Sequence, residues 1–233
     1  MKYLSREEHS FITLDCAKCG HQHVALQLCG LRFCPVCSIK RQFRVRSHIA
    51  ELFRIMKRRP QHRLKMITLS CKNTGDLRRG VDHLIKSFRK LRARKFWNIY
   101  VVGGIAVVEI KGRPGNYHPH LHIVLYAKYL PWPLLRKQWE RVSGGTAVWI
   151  SNIDKGKALH YVTKYVTKLD MPDVAQEEPN VAMKGRHLFM KFGEWASYTL
   201  DIVPVLFVCT RCGASDWIDE FRMKSISREF SRR

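Results

Sequence analysis

The spacing of hydrophobic positions changes several times along the chain, and each change marks an element. Leu64–Cys71 (LKMITLSC), Val101–Ile110 and His118–Ala127 are apolar or alternating runs of strand length, the last two joined by the turn-rich KGRPGNY. Ala147–Ile150 adds a shorter strand. Leu77–Trp97, Leu134–Val142 and Lys157–Lys168 carry helical spacing, the first as an amphipathic basic helix. Upstream, Ser38–Arg58 reads as a basic helix with Ile39, Phe43, Ile49, Leu52 and Phe53 as its buried positions. Downstream, Asp170–Pro179 (DMPDVAQEEP) is an acidic, proline-bearing linker. It is followed by GRHLFMKFGEW, an apolar strand at Ile202–Val208, and a basic tail, KSISREFSRR. Helices mixed with strands that follow one another directly predict an α+β fold built on an antiparallel sheet. The chain divides into residues 1–57 (cysteines and a basic helix), 58–169 (the alternating core) and 170–233 (linker, strand, cysteine pair and tail).

Charge changes the picture more than length does. The 233 residues suffice for one substantial core with smaller attachments. Lys plus Arg number 42 against 19 Asp plus Glu, a formal net charge of +23, and so large an imbalance points to a polyanion, nucleic acid before any other. The cations concentrate in Lys40–Arg46, Lys57–Arg63 and Lys86–Lys95, so these stretches, with Arg92, Arg94 and Lys95 among them, are the expected phosphate contacts. The longest apolar stretches fall well short of the roughly 20 residues of a membrane span. The N-terminal MKYLSREEHS lacks an apolar signal region. Eight cysteines in a chain without a secretory signal indicate metal ligation rather than disulfides, and a cytoplasmic, reducing setting.

The segment richest in chemistry is YHPHLHIVL, residues 117–125. Alternate residues of a strand share a face, so His118, His120 and His122 point one way and Leu121, Ile123 and Leu125 point to the core. Three imidazoles in alternation on a rigid strand suit metal binding better than a solvated surface. Mg²⁺ or Mn²⁺ needs a harder third ligand, and Glu109 is a lone carboxylate in the apolar run across the hairpin. The plainer alternative for Glu109 is a solvent-facing edge residue. In KALHYVTKYVTK, Tyr161, Lys164, Tyr165 and Lys168 fall on one helical face, with Val162 and Val166 on another. A neighbouring ammonium and a metal-bound phosphate both favour the phenolate of a tyrosine in nucleophilic attack.

MITLSCKN, YHPHLHIVLY and HYVTKYVTK, in this order, resemble the three motifs of HUH endonucleases. They are most similar to the rolling-circle replication initiators (Rep proteins) of plasmids and phages. The upstream CGLRFCPVC also resembles a cysteine segment of plasmid Rep proteins. The resemblance implies a central antiparallel sheet with flanking helices, related to the RNA-recognition-motif arrangement. It implies that His120 and His122 are paired ligands for Mg²⁺ or Mn²⁺, with Glu109 or His118 as the third. Tyr161 matches the nucleophile, Lys164 its accompanying lysine, and Tyr165 the second tyrosine of the two-tyrosine members. The activity implied is nicking and joining of single-stranded DNA at a replication origin through a covalent 5′-phosphotyrosine. The chain has no P-loop (GxxxxGK[ST]), so a host helicase and polymerase are the further partners expected. Two other readings stand beside this one: an HUH-type transposase of a mobile element, and a non-catalytic zinc-ribbon protein that binds nucleic acid.

Cys16–Cys19, Cys34–Cys37 and Cys209–Cys212 are CxxC knuckles with structural-zinc spacing. The simplest closure joins Cys16, Cys19, Cys34 and Cys37. A second joins Cys16 and Cys19 to Cys209 and Cys212, and leaves Cys29, Cys34 and Cys37 to recruit His21, His23 or His48. Cys71 reads as a small packed residue.

Overall fold

The computed structural model describes residues 11–26, 33–145, 147–167, 169–170, 177–187, 189–198, 209–214 and 216–219. In chain order these form β1 (Phe11–Cys16), β2 (Gln22–Leu26), α1 (Pro35–Ile55), β3 (Arg63–Ser70), α2 (Leu77–Arg92) and α3 (Lys95–Tyr100). There follow β4 (Val101–Arg113), β5 (Asn116–Ala127), α4 (Trp132–Ser143), β6 (Val148–Asn152) and α5 (Lys155–Thr167). The series ends with β7 (Leu169–Asp170), α6 (Glu177–Ala182), β8 (Phe189–Gly193), α7 (Glu194–Ser197) and β9 (Trp217–Asp219). The fold is therefore α+β with antiparallel sheets. Cys29, Lys168, the expected strand Ile202–Val208 and the basic tail lie outside the described residues.

The chain forms two compact units, Leu31–Asp201 and a smaller one that pairs Leu4–Gly30 with Ile202–Arg233. In the larger unit six strands make one sheet, ordered β6-β3-β5-β4-β7, with β8 also on β4. The pairings are antiparallel except for the short parallel β4–β7 contact. One face packs the aliphatic and aromatic residues of α2 and α4 against Ile67, Leu69, Leu121, Ile123 and Leu125. The opposite face lies under α1 and α5, where Ile49, Leu52, Ala158 and Val162 bury Val107 and Val124. With both faces covered, the central strands are apolar on both sides. A polar group on them then needs a partner.

Three expected elements differ in detail. The helix expected over Leu77–Trp97 breaks at Ala93–Arg94. In one continuous helix Phe88 and Trp97 would point to opposite sides, nine residues being a half-integral number of turns. The break lets both enter the core, where their rings meet edge-on at 5.8 Å. The KGRPGNY turn shrinks to Pro114–Gly115, because β4 and β5 pair out to Arg113 and Asn116. Gly115 there takes φ 78°, a conformation that costs glycine nothing. Phe43, expected in the core, is 68% exposed. The buried stripe of α1 is Val45, Ile49, Leu52, Phe53 and Met56, and Phe43 lies about 200° round the helix from Val45.

Arg92 also departs from expectation. Its guanidinium lies 5.0 Å from the Phe88 ring centroid and 5.2 Å from that of Phe192. Burial there disfavours its charged form. It packs between two aromatic rings rather than standing free in solvent.

In the smaller unit β1 pairs antiparallel with both β2 and β9, giving the order β2-β1-β9. Among the described residues no helix is long and apolar enough to cross a membrane.

Candidate catalytic and metal sites

The hairpin register sets the histidines against Glu109. His120 pairs with Glu109 and His122 with Val107 on β4, and on β3 they pair with Ser70 and Thr68. Directly paired residues share a face, so the imidazoles and the carboxylate emerge on the α5 side of the sheet. Glu109 is fully buried, which excludes the solvent-facing alternative. Its Oε2 lies 2.7 Å from Nε2 of His122 and 3.8 Å from Nζ of Lys111. A carboxylate only accepts, so Nε2 of His122 donates to Glu109, and its Nδ1 lies 3.2 Å from the Thr68 hydroxyl oxygen. His120 stands beside them, its ring near-parallel to that of His122 at 6.2 Å. Burial, and next the neighbouring His118, push the His120 imidazole down to about 4, so it is neutral at physiological pH with a lone pair to offer. Its buried Nδ1 has no hydrogen-bond partner among the described residues. The His118 ring lies tilted against that of His120, 4.3 Å between centroids, and contacts Asn73 through Nδ1.

Two imidazoles and a buried carboxylate with an orphaned ring nitrogen fit the donor set of a hard divalent ion. The set is looser than the cysteine cluster described below. Among the described residues, only those cysteines bring three or more ligand atoms all within 4.8 Å of one another.

The tyrosines arrive on α5. Asp154 caps its first turn by accepting from the Lys157 amide at 2.7 Å, and Ala158 and Val162 anchor it in the core. Tyr165, one turn beyond Tyr161, is the one laid on the histidine: its ring stacks on His122 at 3.6 Å between centroids and 5° between planes. Tyr161 stacks on Tyr165 in turn, at 6.1 Å. Lys164 Nζ sits 5.7 Å from the centroid of the Tyr165 ring. The order of contact is thus His120, His122, Tyr165, Tyr161. Sequence reasoning passed over Thr68, which orients His122. Its signal was the alternation in MITLSC, which puts Thr68 on the same face as Ser70.

The cysteines settle differently from the simplest closure. Cys16, Cys19, Cys209 and Cys212 have all four sulfurs within 4.8 Å of one another, and Cys34 and Cys37 belong to the larger unit, at the start of α1. The Cys16–Cys212 and Cys19–Cys209 sulfurs are 3.5 and 3.7 Å apart. Tetrahedral thiolates about 2.3 Å from zinc would stand about 3.8 Å apart. The two knuckles are built alike. Gly20 and Gly213 close them in the left-handed region, at φ 65° and 71°. Each glycine amide donates to the carbonyl of the first cysteine, Cys16 or Cys209, at 2.8 Å. Burial pushes the Cys16 thiol up, but the amides of Cys19 and Lys18 and the Cys212 and Cys19 thiols bring it down to about 7. At Cys19 the His21 amide acts to lower the value, but burial and the three surrounding thiols push it up to about 12. Four thiols so crowded can hold a metal ion. Cys34 caps α1, its sulfur accepting from the Cys37 amide at 3.4 Å. His23 lies beside Trp217, 6.0 Å between ring centroids. Cys71 is buried, and that burial raises its thiol to about 11.

Residues 21–131 match the family model described as Replication protein (Rep_1). The chain is similar to replication proteins. That stretch includes the histidine hairpin and stops short of α5. Among curated proteins, the chain is 26% identical over 144 residues to a "Protein rep" of Bacillus sp, covering 56% of this chain and 47% of that protein. It is 28% identical over 104 residues to a "Protein rep" of Bacillus amyloliquefaciens, covering 43% of this chain and 31% of that one. The chain thus spans less than half the length of the curated relatives it matches. No solved structure matches it.

Proposed function

We propose that the larger unit is an HUH-type nuclease that nicks and rejoins single-stranded DNA to start rolling-circle replication of a plasmid. The observation that carries this reading is the stack of Tyr165 on His122, with His122 itself bound to the buried Glu109. The similarity to replication proteins over the histidine hairpin supports the biological setting. In this reading Glu109, His120 and His122 hold Mg²⁺ or Mn²⁺, with His118 as the rival third ligand. Such an ion, when bound, neutralises and polarises a phosphodiester. With its Nε2 turned from Glu109 to the ion, His122 would keep Thr68 at Nδ1 to hold its ring in one orientation, as the second partner of a ligating histidine does. A tyrosine phenolate of α5 attacks the phosphorus and the P–O3′ bond breaks. The tyrosine keeps the 5′-phosphate, and the departing 3′-oxygen takes a proton to become the primer hydroxyl. Lys164 beside the Tyr165 ring favours the phenolate. Stacked tyrosines would allow a second transfer to rejoin the strand. The four-cysteine cluster holds zinc as a structural ion.

The test is incubation with Mn²⁺ and single-stranded fragments of the replicon that carries the gene, followed by a search for a covalent protein–DNA adduct. No adduct with any fragment would overturn the reading. His122→Ala should abolish cleavage, and Glu109→Ala should raise the Mn²⁺ requirement by roughly 100-fold. A normal requirement in Glu109→Ala, with loss in His118→Ala, would move the third ligand to His118.

Basic residues outside the site divide by role. Arg92→Gln should lower stability by about 1–2 kcal/mol in thermal melts, because it removes a packed cation–π contact. Lys90 and Lys95 are exposed. Replacing both with Gln should leave the melting temperature alone and flatten the salt dependence of strand binding by about 0.7 per lysine. A full slope in that double variant would remove this stretch from the phosphate path.

A further inference from the structure

An exposed tryptophan lies in line with the histidines. Trp149 on β6 pairs with Thr68 on β3, and Thr68 pairs with His122 on β5. Paired residues share a face, and Thr68 shows which face it is, since its hydroxyl contacts the His122 ring. Two strand spacings put the Trp149 backbone about 10 Å from that of His122, with only the half-buried Thr68 between them. β6 is an edge strand of the sheet among the described residues. Trp149 is 49% exposed, and among the described residues its side chain makes no hydrogen bond and no ring contact. A large indole left open on a sheet edge is an aggregation liability unless something covers it.

Its surroundings indicate what covers it. The next strand position, Val148, is capped from the edge by Trp132, whose Nε1–H donates to the Val148 carbonyl at 3.0 Å. Arg136 sets its guanidinium 5.3 Å from the Trp132 ring centroid, so a cation stands beside the edge. A planar apolar surface bordered by a cation, on a chain of net charge +23, complements a stacked base with its phosphate. An acidic protein surface would match the cation but gives no reason for a solvent-facing indole in register with the histidine pair.

We propose that Trp149 is a stacking platform for one base flanking the scissile phosphate, so that the single strand crosses the sheet edge over Thr68 on its way to His122. The proposal rests on the nicking reading above. It makes Trp149 a positioning residue that grips substrate before chemistry and takes no part in bond breaking. Arg136 would hold a phosphate of the same strand.

The experiment uses the full chain, a short fluorescein-labelled oligothymidylate and the cleavable replicon fragment. Trp149→Ala should weaken oligothymidylate binding about tenfold, and Trp149→Phe should restore most of it, because any aromatic face stacks on a base. The salt slope should be the same in all three proteins, since no charge is removed. For cleavage, Trp149→Ala should raise KM by a similar factor and leave kcat nearly unchanged. Both variants should melt within about 2 °C of the parent, the side chain being exposed. Parental affinity in Trp149→Ala, or equal loss in Trp149→Phe, would overturn the platform, as would a fall in kcat at unchanged KM. Those results would leave the nicking reading standing. A parent protein that neither binds oligothymidylate nor forms an adduct would overturn both.

Discussion

Tyr165→Phe is expected to reduce covalent adduct formation by at least about 10³-fold, as removal of a nucleophile does elsewhere. Strand binding and melting temperature should stay close to those of the parent. Phe keeps the ring that stacks on His122 at 3.6 Å and loses only the oxygen. Tyr161→Phe should keep the first cleavage and slow rejoining. This reverses the assignment implied by motif resemblance, which matched the nucleophile to Tyr161. The reason is positional: Tyr165 stacks on the histidine that would face the phosphate, whereas the ring contacts of Tyr161 among the described residues are with Tyr165 and His160. Peptide mapping of the adduct decides between them. An adduct on Tyr161, with full activity in Tyr165→Phe, would return the role to Tyr161 and make the Tyr165 stack a packing contact.

The ambiguity between the two tyrosines shows where sequence reasoning stops. Helical spacing put Tyr161 and Tyr165 on one face, and the structure agrees. Spacing cannot say which turn of a helix lies over a given strand. That depends on the length of the β6–α5 connection and on where Ala158 and Val162 find their pockets. The strand with alternating histidines was legible because a period of two leaves little freedom: His120 and His122 had to share a face, and Glu109 had to lie across the hairpin or be wasted. Register then made Glu109 the direct neighbour of His120, while its carboxylate reaches His122.

Elsewhere, local pattern misled where tertiary packing had the larger stake. Arg92 looks like one more cation in a basic run, yet two aromatic rings hold it. Phe43 looks like core, yet the buried stripe of α1 runs past it. Trp149 carries no distinguishing signal in the sequence, since a tryptophan in a short strand normally packs. Its exposure shows only once β6 is known to be an edge.

Removing metal from the smaller unit is expected to unfold that unit while the larger sheet survives. Among the described residues its three strands are short, and β9 contributes three residues. So small a sheet buries too little apolar surface to stand without a staple. The two CxxC knuckles come from opposite ends of the chain, and a shared ion would tie them together. Structural zinc in comparable peptide sites contributes on the order of 10–16 kcal/mol at neutral pH. Protein purified without chelator should therefore contain one equivalent of zinc at these four cysteines. Ligation requires thiolates, and Cys19 sits at about 12 without metal, so binding must expel protons. Affinity should accordingly fall as pH is lowered, with protons released to the buffer when zinc is added to stripped protein. Hydrogen exchange supplies the readout. After chelation, or in Cys209→Ser with Cys212→Ser, amides of β1 and β2 should lose protection and those of β4 and β5 should keep it. Retained protection in β1 and β2 would show that the four thiols pack without an ion. Equal loss in β4 and β5 would show that the larger unit depends on the same staple.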